Sequence, residues 1–560
     1  MIKKKKKQVG LIIDSYQQPK QILDLIKLSK SSDNYEISTV LLNNIEFKNE
    51  NLFKQIIKYI NRKGFKRFLS NLIFKFLCKI ESSILKKSSS ISEFYKTFNL
   101  KKNNFESIIL NPIISKSGLI YNYSIEDIEN IKKLNLDLLI RAGSGILRGE
   151  ILNVCPNGII SFHHGDNEVN RGGPAGFWEV YERNPRTGFI IQRLTNELDG
   201  GDVLFKGYIK TRWFYSLNLA ILYEVSNPFF HKVIDDITSN KPKLLVQKKI
   251  PYCNRLYVEP NIWQSINYSK KTFNYILSKL ILKLQGKFLR WGVAYQFTRN
   301  WNDVVLRRSH KIPNPKNRFL ADPFVMKKGI SHFCFVEDYD YKTRKGSISA
   351  YKISPSGHED LGVVLDEDFH LSYPFIFEYN KNIFMCPETN EKEEIRLYKC
   401  LQFPNKWKFH KTLMRNVSAA DTNIFEFNNK WWIFTTIKKG IDDHNSQLHI
   451  FYSDNPLSEN WHPHGSNPVI FDPLRARNGG MIVVGNQIYR VFQRQGFAIY
   501  GESCGVAKII TLSPTEYREE VCSFIEPKFF KNIKGVHTLN FCSNLFVLDY
   551  VELSNIKTGV

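Results

Sequence analysis

Two glycine-rich loops hold the residues best suited to chemistry. The first is Ser161-Phe-His-His-Gly-Asp-Asn, followed by Arg171-Gly-Gly-Pro; the second is Leu198-Asp-Gly-Gly-Asp-Val-Leu204. A histidine at a strand end can take a proton from an attacking amine. A carboxylate can orient that histidine and support its cation. Backbone N–H groups of a glycine turn can stabilise an oxyanion. His163 as base, Asp199 as its partner and Ser161 as a polar donor therefore suit acyl transfer through a tetrahedral intermediate. His164 is a second polar group beside them, and Arg171 can meet an anionic substrate.

These loops need a scaffold. Val9–Ile13, Tyr35–Leu42, Phe105–Leu110, Asp137–Arg141 and Gly158–Phe162 read as short buried strands. Lys20–Ser29, Ile125–Leu134 and Gly149–Val154 read as helices between them. Alternation of this kind predicts an α/β, Rossmann-like fold with a mostly parallel sheet. Ligands on such sheets sit at the carboxyl ends of strands, where Ser161–Asp166 falls. Residues 1–215 are expected to form this domain, interrupted by a basic helical insertion over about 48–100. From Leu52 to Ile80 there are eight Lys/Arg and no Asp/Glu. Apolar residues recur there at Phe65, Phe68, Leu69, Leu72, Ile73, Phe76, Leu77 and Ile80, as on one face of a helix. Ser88–Ser92 reads as a connector. Residues 216–300 read as a linker with a second basic helix, with six basic residues and no acidic ones from Lys270 to Arg290.

From 301 to 560 the pattern changes to aromatic-rich strands with an internal repeat. Ala321-Asp-Pro-Phe-Val, Ser372-Tyr-Pro-Phe-Ile, Ala420-Asp-Thr-Asn-Ile, Arg477-Asn-Gly-Gly-Met and Val536-His-Thr-Leu-Asn align. The leading positions Asp322, Tyr373, Asp421, Asn478 and His537 are 51, 48, 57 and 59 residues apart. Fifteen residues beyond the first four stand Glu337, Glu388, Thr436 and Gln493. Strand-only repeats near this length predict an all-β propeller of five blades. Asp322, Glu337, Glu388, Asp421, Asn478 and His537 are then candidates for a central pocket. Paired carboxylates among them, with Glu502 as a further acid, can serve glycoside chemistry.

The bulk numbers set bounds. A chain of 560 residues is too long for one core. A net charge of +25 favours anionic partners: nucleotide, nucleic acid or a lipid surface. Nine scattered cysteines form no C-x-x-C pair, so no metal site and no disulfide framework is expected, and a reducing compartment fits. With no signal core after Lys3–Lys7, the expected location is cytoplasmic, at the inner face of a membrane if the basic helices bind lipid.

Residues 137–207 resemble the folate-dependent formyltransferases, the family that includes methionyl-tRNA, glycinamide-ribonucleotide and sugar N-formyltransferases. The resemblance rests on Asp137-Leu-Leu-Ile-Arg-Ala-Gly-Ser-Gly-Ile-Leu147, Ser161-Phe-His163, Arg171-Gly172, Thr187-Gly188 and Leu198-Asp-Gly-Gly-Asp202. It implies His163 and Asp199 as catalytic residues, with Ser161 standing where the family has asparagine. It also implies that Gly143, Ser144, Gly145, Ile146 and Leu147, with Leu194, Thr195, Asn196 and Glu197, bind the pterin of 10-formyltetrahydrofolate. The propeller resembles five-bladed glycoside hydrolases and the amino-terminal domain of glucosamine inositolphosphorylceramide transferases. Together these imply formyl transfer to the amine of a nucleotide- or lipid-linked amino sugar in surface polysaccharide synthesis. The rivals are methionyl-tRNA formylation, deformylation by water, and a retired formyltransferase fold carrying a carbohydrate-binding or glycoside-processing propeller. Oligomers fit the family.

Overall fold

The computed structural model describes residues 5–45, 52–87, 89–103, 105–239 and 251–555. Lys3, Lys4 and Ser88, with parts of the expected insertion, lie outside them. The chain divides into two compact units, 1–273 and 274–560.

The first unit is built on a seven-stranded mixed sheet. Its strands are β1 (Lys7–Ile13), β2 (Tyr35–Asn43), β3 (Glu106–Leu110), β4 (Leu138–Arg141), β5 (Ile159–His163), β6 (Arg186–Arg193) and β7 (Asp202–Lys210). The order across the sheet is β7-β6-β5-β4-β1-β2-β3. The five strands β3, β2, β1, β4 and β5 run parallel, whereas β6 and β7 add antiparallel. The parallel strands are apolar runs, as burial on both faces requires: Val9, Leu11, Leu138, Leu139, Ile159 and Ile160 are fully buried. The sheet predicted from the sequence is thus present, with Gly149–Asn153 as a short 3₁₀ turn in place of the expected helix.

Helix α1 (Lys20–Ser31) crosses from β1 to β2. Two basic helices follow, α2 (Leu52–Lys63) and α3 (Phe65–Leu85). Of α3, Phe74 is buried against Phe177 and Tyr215, while Phe65, Leu72, Phe76, Ile80 and Ile84 are exposed. Helix α4 (Tyr215–Thr238) buries Leu222, Phe230, Val233 and Ile234. Helix α5 (Ile262–Leu284) ends in the second unit. Among the described residues, no helix is long and apolar enough to cross a membrane.

The second unit is all β. Three antiparallel sheets follow one another in sequence, starting at Arg318–Lys328, Ser372–Tyr379 and Ala419–Phe427. The fourth sheet has nine strands. Asn478–Val484, Gln487–Arg494, Ser503–Leu512 and Tyr517–Ile525 form one part of it. A parallel pairing of Ile482 with Phe541 joins that part to Leu539–Cys542. Beyond lie Leu545–Asn555, Lys287–Phe297 and His310–Ile312, with Ile533–Gly535 also paired to Leu545–Asn555.

The expected linker over 216–300 is therefore corrected. Its first part is α4 of the first unit, because its apolar face is buried there. Its last part, Lys287–Phe297, pairs along its whole length with Leu545–Asn555. A repeat read along the chain cannot show that a strand ahead of the first copy completes the last one.

The repeat has a backbone origin. In each leading strand the pairing register slips, at Ala321/Phe324, Ser372/Phe375, Ala420/Asn423 and Asn478/Gly480. Asp322, Tyr373 and Asp421 sit there in the left-handed region, with φ of 49°, 47° and 51°. Such bulges re-aim one side chain and end the regular ladder. In the fourth copy Gly480 takes the positive φ, 122°, and a Cβ there would lie 2.0 Å from the Leu539 carbonyl oxygen.

Gly480→Ala must break that close approach and is expected to cost about 2 kcal/mol or more. Gly485→Ala also has positive φ but meets open space, so it should cost about 1 kcal/mol. Equal denaturation midpoints for the two variants would contradict this account of the sheet junction.

Candidate functional site

In the first unit, β5 delivers His163 to the carboxyl edge of the sheet, and the loop between β6 and β7 delivers Asp199. Their side chains meet, with His163 Nδ1 3.4 Å from Asp199 Oδ1. His163 Nε2 lies 2.8 Å from the Asn170 carbonyl oxygen. A carbonyl can only accept, so Nε2 carries a proton and Nδ1 faces the carboxylate. Both ring nitrogens are engaged. The second Asp199 oxygen accepts the Gly172 N–H at 3.0 Å, which ties the two glycine-rich loops together.

Ser161 is buried; its hydroxyl donates to the Phe162 carbonyl and receives Arg141 Nη1 at 3.4 Å. His164 stacks on Tyr223 with centroids 3.8 Å apart. Burial, with His163 nearby, pushes the His164 imidazole down to about 3, so it is neutral. Ser161, His164 and Tyr223 line a cavity of about 260 Å³. Arg171 stacks its guanidinium over Tyr252 and donates to the Asn167 carbonyl.

Across the Gly143–Leu147 loop, Ser144 donates its hydroxyl to Asp14 Oδ2 at 2.6 Å. Arg141 donates to the Gly145 carbonyl, Ile146 is half-buried and Leu147 is buried. Leu194 donates its N–H to the Ile159 carbonyl, Thr195 Oγ1 accepts the Glu197 N–H, and Asn196 is exposed. Sequence reasoning passed over a polar cavity of about 790 Å³ at the ends of β1 and β2, lined by Asp14, Tyr16, Asn43, Asn99 and Lys101. The one available signal was Asp14, a carboxylate directly after a buried strand.

The second unit gathers more charge. Arg477 Nε donates to Asp421 Oδ2 at 2.6 Å, and its guanidinium lies 3.5 Å from Glu388. Gln493 donates to the same Asp421 oxygen at 2.7 Å, and Asn478 donates to the Asp421 carbonyl. Glu388 accepts the Asp421 N–H at 3.3 Å. On the other side His537 Nδ1 lies 2.6 Å from Asp549, and its Nε2 is 3.8 Å from Asp322. Asp549 also accepts the N–H groups of Asp322, His537 and Thr538. Trp291 stacks on His537 at 3.9 Å, and Tyr500 meets it edge-on. Glu337 lies 3.6 Å from His370. All six propeller residues predicted from the sequence are buried within this group, whereas Glu502 is exposed.

Burial pushes the Asp322 carboxyl up to about 6, with Asp421 and Asp549 adding to the rise and His537 opposing it. Glu337 and Glu388 are pushed well above the carboxylate range by burial and then by neighbouring carboxylates. Burial opposes charge on His537, but Asp549 and Asp322 outweigh it and raise the imidazole. No metal was expected, yet ligand atoms of Asp322, His537 and Asp549 lie within 4.8 Å of one another. His537 Nδ1 and Asp549 already engage each other and the N–H groups just given, and Asp322 Oδ1 accepts the Thr538 hydroxyl at 2.7 Å. Arg477, Asp549, Tyr500 and Trp291 escaped the sequence reading. Arg477 was legible as the residue ahead of a leading position, while the other three fall outside the repeat.

Residues 300–554 match the family model described as glucosamine inositolphosphorylceramide transferase 1, N-terminal. A relative from Arabidopsis thaliana named glucosamine inositolphosphorylceramide transferase 1 is 37% identical over 224 residues, 39% of this chain and 29% of that relative. The chain spans under a third of the length of the curated relatives it matches. Among solved structures, a thermostable family-43 glycoside hydrolase is similar at TM-score 0.33 and 17% identity, covering 42% of this chain and 88% of its own. A phosphoribosylglycinamide formyltransferase from Anaplasma phagocytophilum is similar at TM-score 0.28 and 16% identity, covering 42% and 88%. Likenesses this faint carry no functional argument.

The match over 300–554 bears out the resemblance of the second unit to the amino-terminal domain of glucosamine inositolphosphorylceramide transferases. It overturns the expectation of formyl transfer. The relatives are named for glucosamine and inositolphosphorylceramide, not for a one-carbon group. With formyl transfer fall its co-substrate 10-formyltetrahydrofolate, the methionyl-tRNA variant and the retired formyltransferase scaffold.

Two predictions follow from the geometry. Asp421→Ala strands the Arg477 guanidinium and should cost about 3–5 kcal/mol in equilibrium unfolding. In the first unit, burial pushes the Glu179 carboxyl up to about 7, and its Oε2 has no hydrogen-bond partner among the described residues. A raised acid contributes stability below its ordinary value of 4.5 and loses it as pH rises through about 7. Glu179→Gln should therefore match wild type at pH 4 and exceed it at pH 8, by up to roughly 3 kcal/mol. An offset that does not change with pH would contradict this.

Proposed function

We propose that the second unit is a five-bladed β-propeller whose hub holds the amino sugar of a lipid-linked glycan, and that the chain serves glycosyl transfer involving such a lipid. The blade reading takes the nine-stranded sheet as two blades, the last of them completed by Lys287–Phe297 and His310–Ile312. The bulges at Asp322, Tyr373 and Asp421 then aim one residue per blade at the axis.

The observation that carries the proposal is an imbalance of charge. Asp421 is matched by Arg477, and Asp549 by His537. Glu388 and Asp322 share those same two cations at the longer distances of 3.5 and 3.8 Å, and Glu337 meets only His370. His370 beside Glu337 is pushed down by burial and stays neutral. Ionising a buried carboxyl without a counter-charge is costly, which is why Glu337 and Glu388 hold their protons, and a cation bound beside them would let them ionise. A ligand ammonium supplies that charge, and glucosamine carries one. Trp291 and Tyr500 offer aromatic faces beside it. The names of the matched relatives, which pair glucosamine with a phosphoryl lipid, support the same reading.

Titration of the whole chain with glucosamine-containing, N-acetylated and neutral saccharides tests it, read by calorimetry and by the tryptophan fluorescence that a Trp291→Phe variant loses. The amine-bearing sugar should bind about tenfold more tightly than its acetylated form, equivalent to about 1.4 kcal/mol. Glu337→Gln should erase that preference. The preference should also fade as pH drops through about 6, where Asp322 takes up its proton. Equal affinity for all three saccharides would sink the proposal. Release of free sugar during the titration would favour glycoside cleavage by the same carboxylates.

A further inference from the structure

The part of α5 inside the second unit, 274–284, is apolar on two sides. Ile276, Leu280 and Leu284 follow one another at four-residue spacing, so they form one ridge. They are 49%, 50% and 78% exposed, and Leu277 and Ile281 beside them are also open to solvent. On another side, Tyr275, Ser278, Lys279, Leu282 and Lys283 line a cavity of about 830 Å³. Its far walls include Phe288, Leu289, Ile499 and Leu553, and Lys287 and Lys534 stand with the two helix lysines around it. No acidic residue lines this cavity, and α5 contains none at all.

An exposed leucine ridge above an apolar hollow is costly in water. Something apolar should cover it, and the lysines require that cover to be negative. A second copy of this surface would set lysine against lysine. An anionic bilayer satisfies both demands: the ridge enters the acyl boundary, and the lysines reach the phosphates with their stems along the apolar wall. The first unit shows the same signature independently. Helix α3 exposes Phe65, Leu72, Phe76 and Ile80 on a segment that also carries Lys66, Arg67, Lys75 and Lys79.

We propose that residues 274–284 and the adjoining lysine-rimmed cavity dock on an anionic lipid leaflet. This goes beyond the sugar-binding reading and does not depend on it, because the test membranes contain no sugar.

Flotation of the full chain with phosphatidylcholine vesicles, with and without phosphatidylglycerol, tests the proposal. The protein should float with the anionic vesicles only, and less so as salt rises. Lys279→Gln and Lys283→Gln should each weaken partition on the order of fivefold. The triple variant Ile276→Ser, Leu280→Ser, Leu284→Ser should lose at least tenfold while keeping the wild-type unfolding transition. Hydrogen exchange across 274–284 should slow when anionic vesicles are added, which separates docking by this helix from docking by α3. Failure to float would overturn the proposal. So would a triple variant that floats like wild type, or a wild-type dimer that ignores vesicles and that the triple variant dissolves.

Discussion

One fully buried carboxylate organises the second unit. Asp549 accepts the backbone N–H groups of Asp322, His537 and Thr538 and faces the His537 ring. A buried carboxyl group needs that many hydrogen-bond partners to be tolerated. Meeting its need fixes the bulge of the first leading strand against the start of the last repeat. Asp322 keeps its left-handed backbone because its N–H is held there, and Asp421 keeps its own through the Glu388 carboxylate. The strained positions are thus supported by the same acids that charge the hub. Structure and electrostatics cannot be altered separately there.

The first unit resolves its charges differently. His163 is fully engaged by Asn170 and Asp199, Asp14 by the Ser144 loop and Asn43. His164 is neutral inside an aromatic stack. The histidines and Asp14 of the first unit are thus engaged or neutral, whereas the second unit gathers five buried carboxyl groups, Asp322, Glu337, Glu388, Asp421 and Asp549.

Much of this was legible in the sequence, and the limits have physical causes. Buried parallel strands announce themselves as apolar runs, so β1, β2, β4 and β5 were read almost to the residue. The fifteen-residue offset from Asp322 to Glu337 and from Tyr373 to Glu388 exposed the repeat, because a bulge and a hairpin recur at fixed length. The nearness of His163 and Asp199 was also readable, since one ends a strand and the other lies in a glycine-rich loop of the same sheet. Their role was not. Spacing does not reveal that the Asn170 carbonyl occupies Nε2, and motifs shared with formyltransferases suggested a reaction that the relatives' names contradict. Lys287–Phe297 was hidden because its basic start continues the charge pattern of α5. Asp549 was hidden because it lies outside the leading positions and one of its hydrogen bonds reaches Asp322, 227 positions away.

The pairing of Lys287–Phe297 with Leu545–Asn555 has a consequence for how the protein is made. The first strand leaves the ribosome long before its partner. Through the synthesis of 298–544 the edge that Leu545–Asn555 will cover stays open on a strand rich in Phe, Trp, Val and Tyr, of the kind that adds to other chains. Its Lys287 and Arg290 are the only charges on it. Nascent chains are therefore most open to misassembly in the interval before Leu545–Asn555 emerges.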